Sequence, residues 1–191
     1  MIELYAIADH PGPPLPRVAP LHTVASGVLA AVCAPYAERD VSPEALWRHE
    51  SVIEALMEGR DLLPVRYGTR VDDEAAVTRV LEERRGDLVA ALDRVRGAVE
   101  VSVRARDSSV EAADPDAMMR GHEVHEPLSR LARDSVRRMG RAPGEVLRGA
   151  YLVERDSVQR FVDEVARLEQ EHDELSLLCT GPWPPYSFAE R

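Results

Sequence analysis

The sequence predicts an α+β protein made of two small domains, residues 1–97 and 98–191. Three observations lead there. Val99, Val101 and Val103 alternate with Glu100, Ser102 and Arg104, the period-2 pattern of a half-buried strand. Val77, Val80, Leu81, Leu88, Leu92 and Val95 recur at helical spacing just before it. Strand-like segments cluster at the start, with hairpin-like neighbours, instead of alternating strictly with helices, which favours α+β sheets, each covered by helices on one face. Gly97, between the helical and the alternating patterns, marks the boundary.

Residues 1–8 read as a strand, followed by a loop stiffened by Pro11, Pro13, Pro14, Pro16 and Pro20. Residues 21–25 and 27–33 are two apolar segments expected to pair. Ser42 is placed to cap a helix with Pro43 at its first position and Glu44 in its first turn, where the helix dipole favours an anion. Leu46, Ile53, Leu56 and Met57 supply its apolar stripe, Trp47 is expected to contact the core, and Gly59 ends it. Residues 61–66 are strand-like. One long helix is expected over residues 73–96, weakened at Gly86 and closed by Gly97 in the left-handed conformation. After the strand at residue 99 come a polar, turn-like stretch (107–116) and an irregular helix (115–139) containing Gly121 and Pro127. Residues 146–153 form a strand, and Asp156 with Gln159 resembles a capping box for a helix bearing Phe161, Val162, Val165 and Leu168. Residues 175–179 are the last strand.

Composition narrows the function. The formal net charge is −10 over 191 residues. A nucleic-acid binder needs a concentrated basic face, and anionic lipid attracts basic segments, so neither partner is expected. All 24 basic residues are arginine. Planar recognition would explain this, and so would a GC-rich gene, given the abundance of Ala, Gly, Val and Pro. Cys33 and Cys179 sit alone in apolar runs and predict buried reduced thiols in a cytoplasmic protein. The N-terminus opens as a strand rather than as a leader peptide. The longest apolar run, residues 27–34, is far below the roughly 20 residues that span a bilayer.

Catalytic patterns are missing: there is no GxSxG elbow, phosphate-binding loop or dinucleotide fingerprint. His122 and His125, at i and i+3, could share a metal only with a third ligand, and otherwise form a solvated face. His49-Glu50 could act as an acid/base pair or join its helix to a neighbouring strand. Arg66 and Arg70 flank the turn at Tyr67-Gly68-Thr69 and could grip a carboxylate or phosphate, or close an internal salt bridge. The expectation is a non-enzyme with no cofactor and no metal.

The end of the chain is its most distinctive part. In Gly181-Pro182-Trp183-Pro184-Pro185-Tyr186-Ser187-Phe188 three prolines stiffen a segment carrying three aromatic side chains. Trp183, Tyr186 and Phe188 are candidates either for contacts to a partner or for a clasp on the protein's own core. Arg66 and Tyr67 are the other candidate partner residues. Together with Leu4-Tyr5-Ala6-Ile7, His49-Glu50, Leu63-Pro64-Val65-Arg66-Tyr67-Gly68-Thr69 and Gly97-Ala98-Val99-Glu100, this ending resembles the gas vesicle accessory proteins of the GvpF/GvpL type. Tyr67 stands where the family usually has Phe. Residues 107–144 are too short for the helical insertion that longer members carry.

The resemblance implies that the second domain is a modified ferredoxin-like sheet with helices on one face. It further implies an accessory or minor structural role in gas vesicle assembly, in the cytoplasm and associated with the vesicle. The implied partners are the hydrophobic major shell protein, held back from aggregation during nucleation, and other gas vesicle accessory proteins. A ferredoxin-like protein that binds a regulatory small molecule is the alternative.

Overall fold

A computed structural model describes residues 1–36, 42–107, 115–138 and 144–189. The chain divides into two compact units. The first contains Met1–Arg96 together with Pro184–Arg191, and the second Gly97–Trp183. The sequence reading put the whole closing segment in the second unit. The difference arises because Pro184, Pro185 and Phe188 are buried in contacts of the first.

In the first unit, β1 (Ile2–Asp9) is the central strand. It pairs antiparallel with β3 (Leu29–Pro35), β4 (Leu62–Pro64) and the short β5 (Arg70–Val71), while β2 (His22–Ser26) lies outside β3. Helix α1 (Pro43–Met57) begins as its sequence requires: the Ser42 hydroxyl accepts from the Ala45 amide at 3.2 Å. Ala45, His49, Val52, Ile53 and Leu56 form its buried face. That face meets Ala6, Ala8, Val32 and Leu62 on the sheet. The expected long helix is two, α2 (Glu74–Glu83) and α3 (Arg85–Val95). They break at Arg84, whose φ of −104° and ψ of 14° are not helical. Gly86 follows the break and approaches nothing closely.

Helices α2 and α3 contact β2, β3, β4 and β1 on the face opposite α1. This sheet is therefore covered on both faces, not one, and all three residues of β4 are buried. The proline-rich loop is held by Arg60, whose guanidinium donates to the carbonyls of Pro13 and Pro14 at 2.9 Å each.

The second unit opens at Gly97, with φ of +71°, the left-handed geometry that glycine takes without cost. Its elements are β6 (Ala98–Asp107), α4 (Pro115–Leu131), β7 (Asp134–Arg138), β8 (Glu145–Glu154), α5 (Val158–Glu171) and β9 (Leu175–Trp183). The sheet order is β7-β8-β6-β9, all antiparallel. Two helices inserted in this β-α-β-β-α-β order give the ferredoxin-like arrangement. Both helices pack on one face, where Val101, Val103, Leu147, Tyr151 and Val153 meet Val124, Leu128, Phe161, Val165 and Leu168. Helix α4 comes very close to β8 at Gly121: a Cβ there would lie 2.2 Å from the Val146 carbonyl oxygen.

Three local expectations change, and a fourth falls outside the described residues. The segment expected as helix up to residue 139 contains β7. Helix α5 starts after a 3-10 turn, Arg155–Ser157, without a side-chain cap, and Gln159 instead donates to Asp163 at 2.9 Å. The last strand runs on to Trp183; β9 is an edge strand, where Pro182 removes no needed ladder bond. Residues 108–114 of the expected polar turn lie outside the described residues.

Candidate functional site

Residues around His49 form an open cleft in the first unit, lined by Glu3, Tyr5, Tyr36, Ala45, Arg48, Tyr67 and Arg70. Its floor follows from α1. His49 falls one turn after Ala45 and one before Val52 and Ile53, so it points inward and is buried. Its Nε2 lies 2.8 Å from the Val65 carbonyl oxygen, which makes Nε2 the protonated nitrogen. Nδ1 is 3.6 Å from Glu3 Oε1. The ring stacks on Tyr5 at 4.7 Å and meets Tyr67 edge-on at 5.5 Å. His49 thus joins α1 to the chain after β4 and holds Tyr67. Glu50 turns elsewhere, so the two do not form a dyad.

Arg66 and Tyr67 are brought to this region but not to one task. Tyr67 is half-buried against His49, whereas the Arg66 side chain is exposed. The Arg66 carbonyl accepts from the Thr69 amide and hydroxyl, at 3.2 and 2.8 Å, and so closes the turn. The Arg70 guanidinium lies 4.0 Å from the centre of the Tyr36 ring, a cation–π contact.

The closing aromatics separate. Phe188 is fully buried, Tyr186 is half-buried, and the Tyr186 hydroxyl donates to Glu50 on α1 at 2.9 Å. Burial, reinforced by the Glu50 charge, raises the Tyr186 pKa, so the phenol stays a donor. Arg94 of α3 donates to the Phe188 carbonyl at 3.4 Å. Trp183 ends β9 with 40 % of its surface exposed, its indole N–H 3.3 Å from the Thr180 hydroxyl.

Trp47 is the residue that sequence reasoning misplaced. It is 71 % exposed on α1, beside an exposed Leu46. The expected apolar stripe includes Leu46, whereas the buried one runs through Ala45, His49, Val52, Ile53 and Leu56. A helical wheel centred on His49 puts Trp47 on the far side.

His122 and His125 do not converge. His122 Nε2 lies 3.4 Å from Glu126, while His125 Nδ1 turns inward to the Tyr151 hydroxyl at 2.9 Å. No group of three or more His, Cys, Asp or Glu side chains is arranged to hold a metal among the described residues. Burial first, then the charges of Arg137 and His122, lower the His125 pKa against the opposing effect of Glu126. The unfolded chain therefore takes up this proton at higher pH than the folded one. The resulting stability is present above the unfolded value near 6.5 and is lost as pH falls through and below it. Melting temperature should decline from pH 7.5 to 5.5, and His125→Gln should flatten that slope. An unchanged slope in the variant would assign the decline to other groups.

The comparisons with known proteins point one way. The family described as "Gas vesicle synthesis protein GvpL/GvpF" matches residues 3–120 and 110–190. Gas vesicle protein F2 of Halobacterium salinarum is 28 % identical over 176 residues, covering 88 % of this chain and 80 % of that protein. Gas vesicle protein L of a Streptomyces species is 32 % identical over 189 residues, covering 76 % and 69 %. Two crystal structures, of GvpF from Anabaena and from Microcystis aeruginosa, superpose with TM-scores of 0.83 and 0.82. Each covers all of this chain, and this chain spans 96 % and 99 % of theirs, at 19 % and 18 % identity.

Proposed function

Because the chain belongs to the GvpL/GvpF family of gas vesicle synthesis proteins, we propose that it serves gas vesicle formation as a non-enzymatic accessory protein. In this reading it holds the hydrophobic major shell protein and limits its aggregation during nucleation. The observation that carries the reading is Trp47, exposed with Leu46 on a helix whose other face is locked into the core. A tryptophan held in water on a rigid element gains by burial against an apolar partner and loses little freedom in doing so. Tyr67, in the cleft beside His49, and Trp183, on the second unit, are further candidate contacts; Phe188 and Tyr186 are turned inward. High net charge keeps such a protein and its cargo dispersed. No described helix is long and apolar enough to cross a membrane.

Trp47→Ala is the test. The ring touches little of the protein, so thermal melting should match wild type within the scatter typical of surface substitutions, about 0.5 kcal/mol. Capture of the major shell protein should weaken by about 2 kcal/mol, roughly thirtyfold, if Trp47 is an anchor. Equal capture by variant and wild type would remove α1 from the partner surface.

A further inference from the structure

The sheet face of the second unit that points away from α4 and α5 carries a row of like charges. Strand register sets Arg138 of β7 beside Arg148 of β8, Arg148 beside Arg104 of β6, and Arg104 beside Leu178 of β9. Directly paired residues in an antiparallel sheet project to the same side. Three arginines therefore stand in line across three strands, about 5 Å per step. Arg106, two residues along β6, faces the same way. Arg104, Arg106 and Arg138 are exposed and Arg148 is half-buried.

None of these four arginines has an ion-pair or side-chain hydrogen-bond partner among the described residues. Other arginines of the same unit are paired: Arg133 with Glu154, Arg130 with Glu126, and Arg167 with Glu164 and Glu171. Like charges set directly opposite on neighbouring strands work against the fold. The row also runs counter to a chain whose net charge is −10.

We propose that this row docks an acidic helical segment of a partner protein. Carboxylates at i and i+4 on a helix recur at about 5–6 Å, the step of the arginine row. The adjoining row of Val136, Ala150, Ser102 and Thr180 is made of small side chains on which a helix can lie, and Leu178 adds an apolar end to the arginine row. Guanidinium groups pair with carboxylates in a planar, two-bonded fork, which suits them to this task. A long nucleic acid matches the patch poorly, because the rest of the molecule repels it. A second copy of the chain carries the same net negative charge and is repelled likewise. The proposal is independent of the α1 surface and concerns a different unit.

The test uses the full chain and a fluorescein-labelled, alanine-based helical peptide with glutamate at every fourth position, followed by fluorescence anisotropy. The wild type should bind it, and binding should weaken as salt is raised. Arg104→Ser/Arg148→Ser should lose roughly tenfold or more in affinity as two ion pairs disappear. Its melting temperature should equal or exceed that of wild type, because an opposed pair of like charges is gone. Arg17→Ser/Arg79→Ser, with the same net change at exposed positions of the first unit, should bind as wild type does. No binding by wild type, equal binding by the two double variants, or tighter binding of an oligothymidylate than of the peptide would overturn the proposal. So would sedimentation showing a wild-type dimer that the Arg104/Arg148 variant lacks, which would make a second copy the occupant.

Discussion

Phe188→Ala is expected to destabilise the first unit by about 3–5 kcal/mol, the usual cost of deleting a fully buried aromatic ring. Phe188 has no exposed surface, and the two prolines before it are buried as well. The segment is anchored at more than one point. Tyr186 donates to Glu50 of α1 and packs on the cluster of Ala6, Val32, Ile53 and Leu62, while Arg94 of α3 reaches the Phe188 carbonyl. One short stretch thereby joins helices on both faces of the first sheet. Pro184 and Pro185 lower the entropy lost when it docks, since their φ angles are already set in the unfolded chain. Truncation after Trp183 should cost at least as much as Phe188→Ala. Trp183→Ala should cost less, because its ring is 40 % exposed in a unit the truncation leaves complete. Urea unfolding followed by circular dichroism would measure all three. If Phe188→Ala unfolds at the wild-type midpoint, the closing segment does not belong to this core.

The α+β class and most elements were legible because their signals are local. Ser42-Pro43 announces a helix start, Val99, Val101 and Val103 announce a strand, and Gly97 a left-handed turn. The failures have physical causes too. Strand β7, Asp-Ser-Val-Arg-Arg, has one apolar residue and lies at a sheet edge, so it buries too little to leave a period-2 pattern. The break at Arg84 left no trace because α2 and α3 each keep their own apolar stripe, Val77 with Leu81 and Leu88 with Leu92. Which surface is exposed was the least legible property. Trp47 and Phe188 are both large and apolar, and only the packed core decides that one faces water and the other does not. The arginine row was invisible as well, since its members are drawn together by strand register from positions as far apart as 104 and 148.

Leu63→Ala is expected to cost about 2–5 kcal/mol, and Leu62→Ala a similar amount. Period-2 geometry sends these neighbours to opposite faces. A sheet covered on one face only would make one of the two substitutions mild. Here Leu62 enters the cluster with Val52, Ile53 and Leu56 from α1, while Leu63, beside Ile7 of β1, lies on the side of α3. Their exposures are 2 % and 3 %, so both leave cavities when shortened. Leu63→Met, which nearly conserves volume, should cost less than about 1.5 kcal/mol and so separates lost packing from general intolerance at the site. The same samples also test the role of β4. A Leu63→Ala protein as stable as wild type, yet unable to capture the major shell protein, would turn this strand from core into binding surface. Destabilisation in Leu62→Ala alone would return the sheet to single-sided cover and remove α3 from its second face.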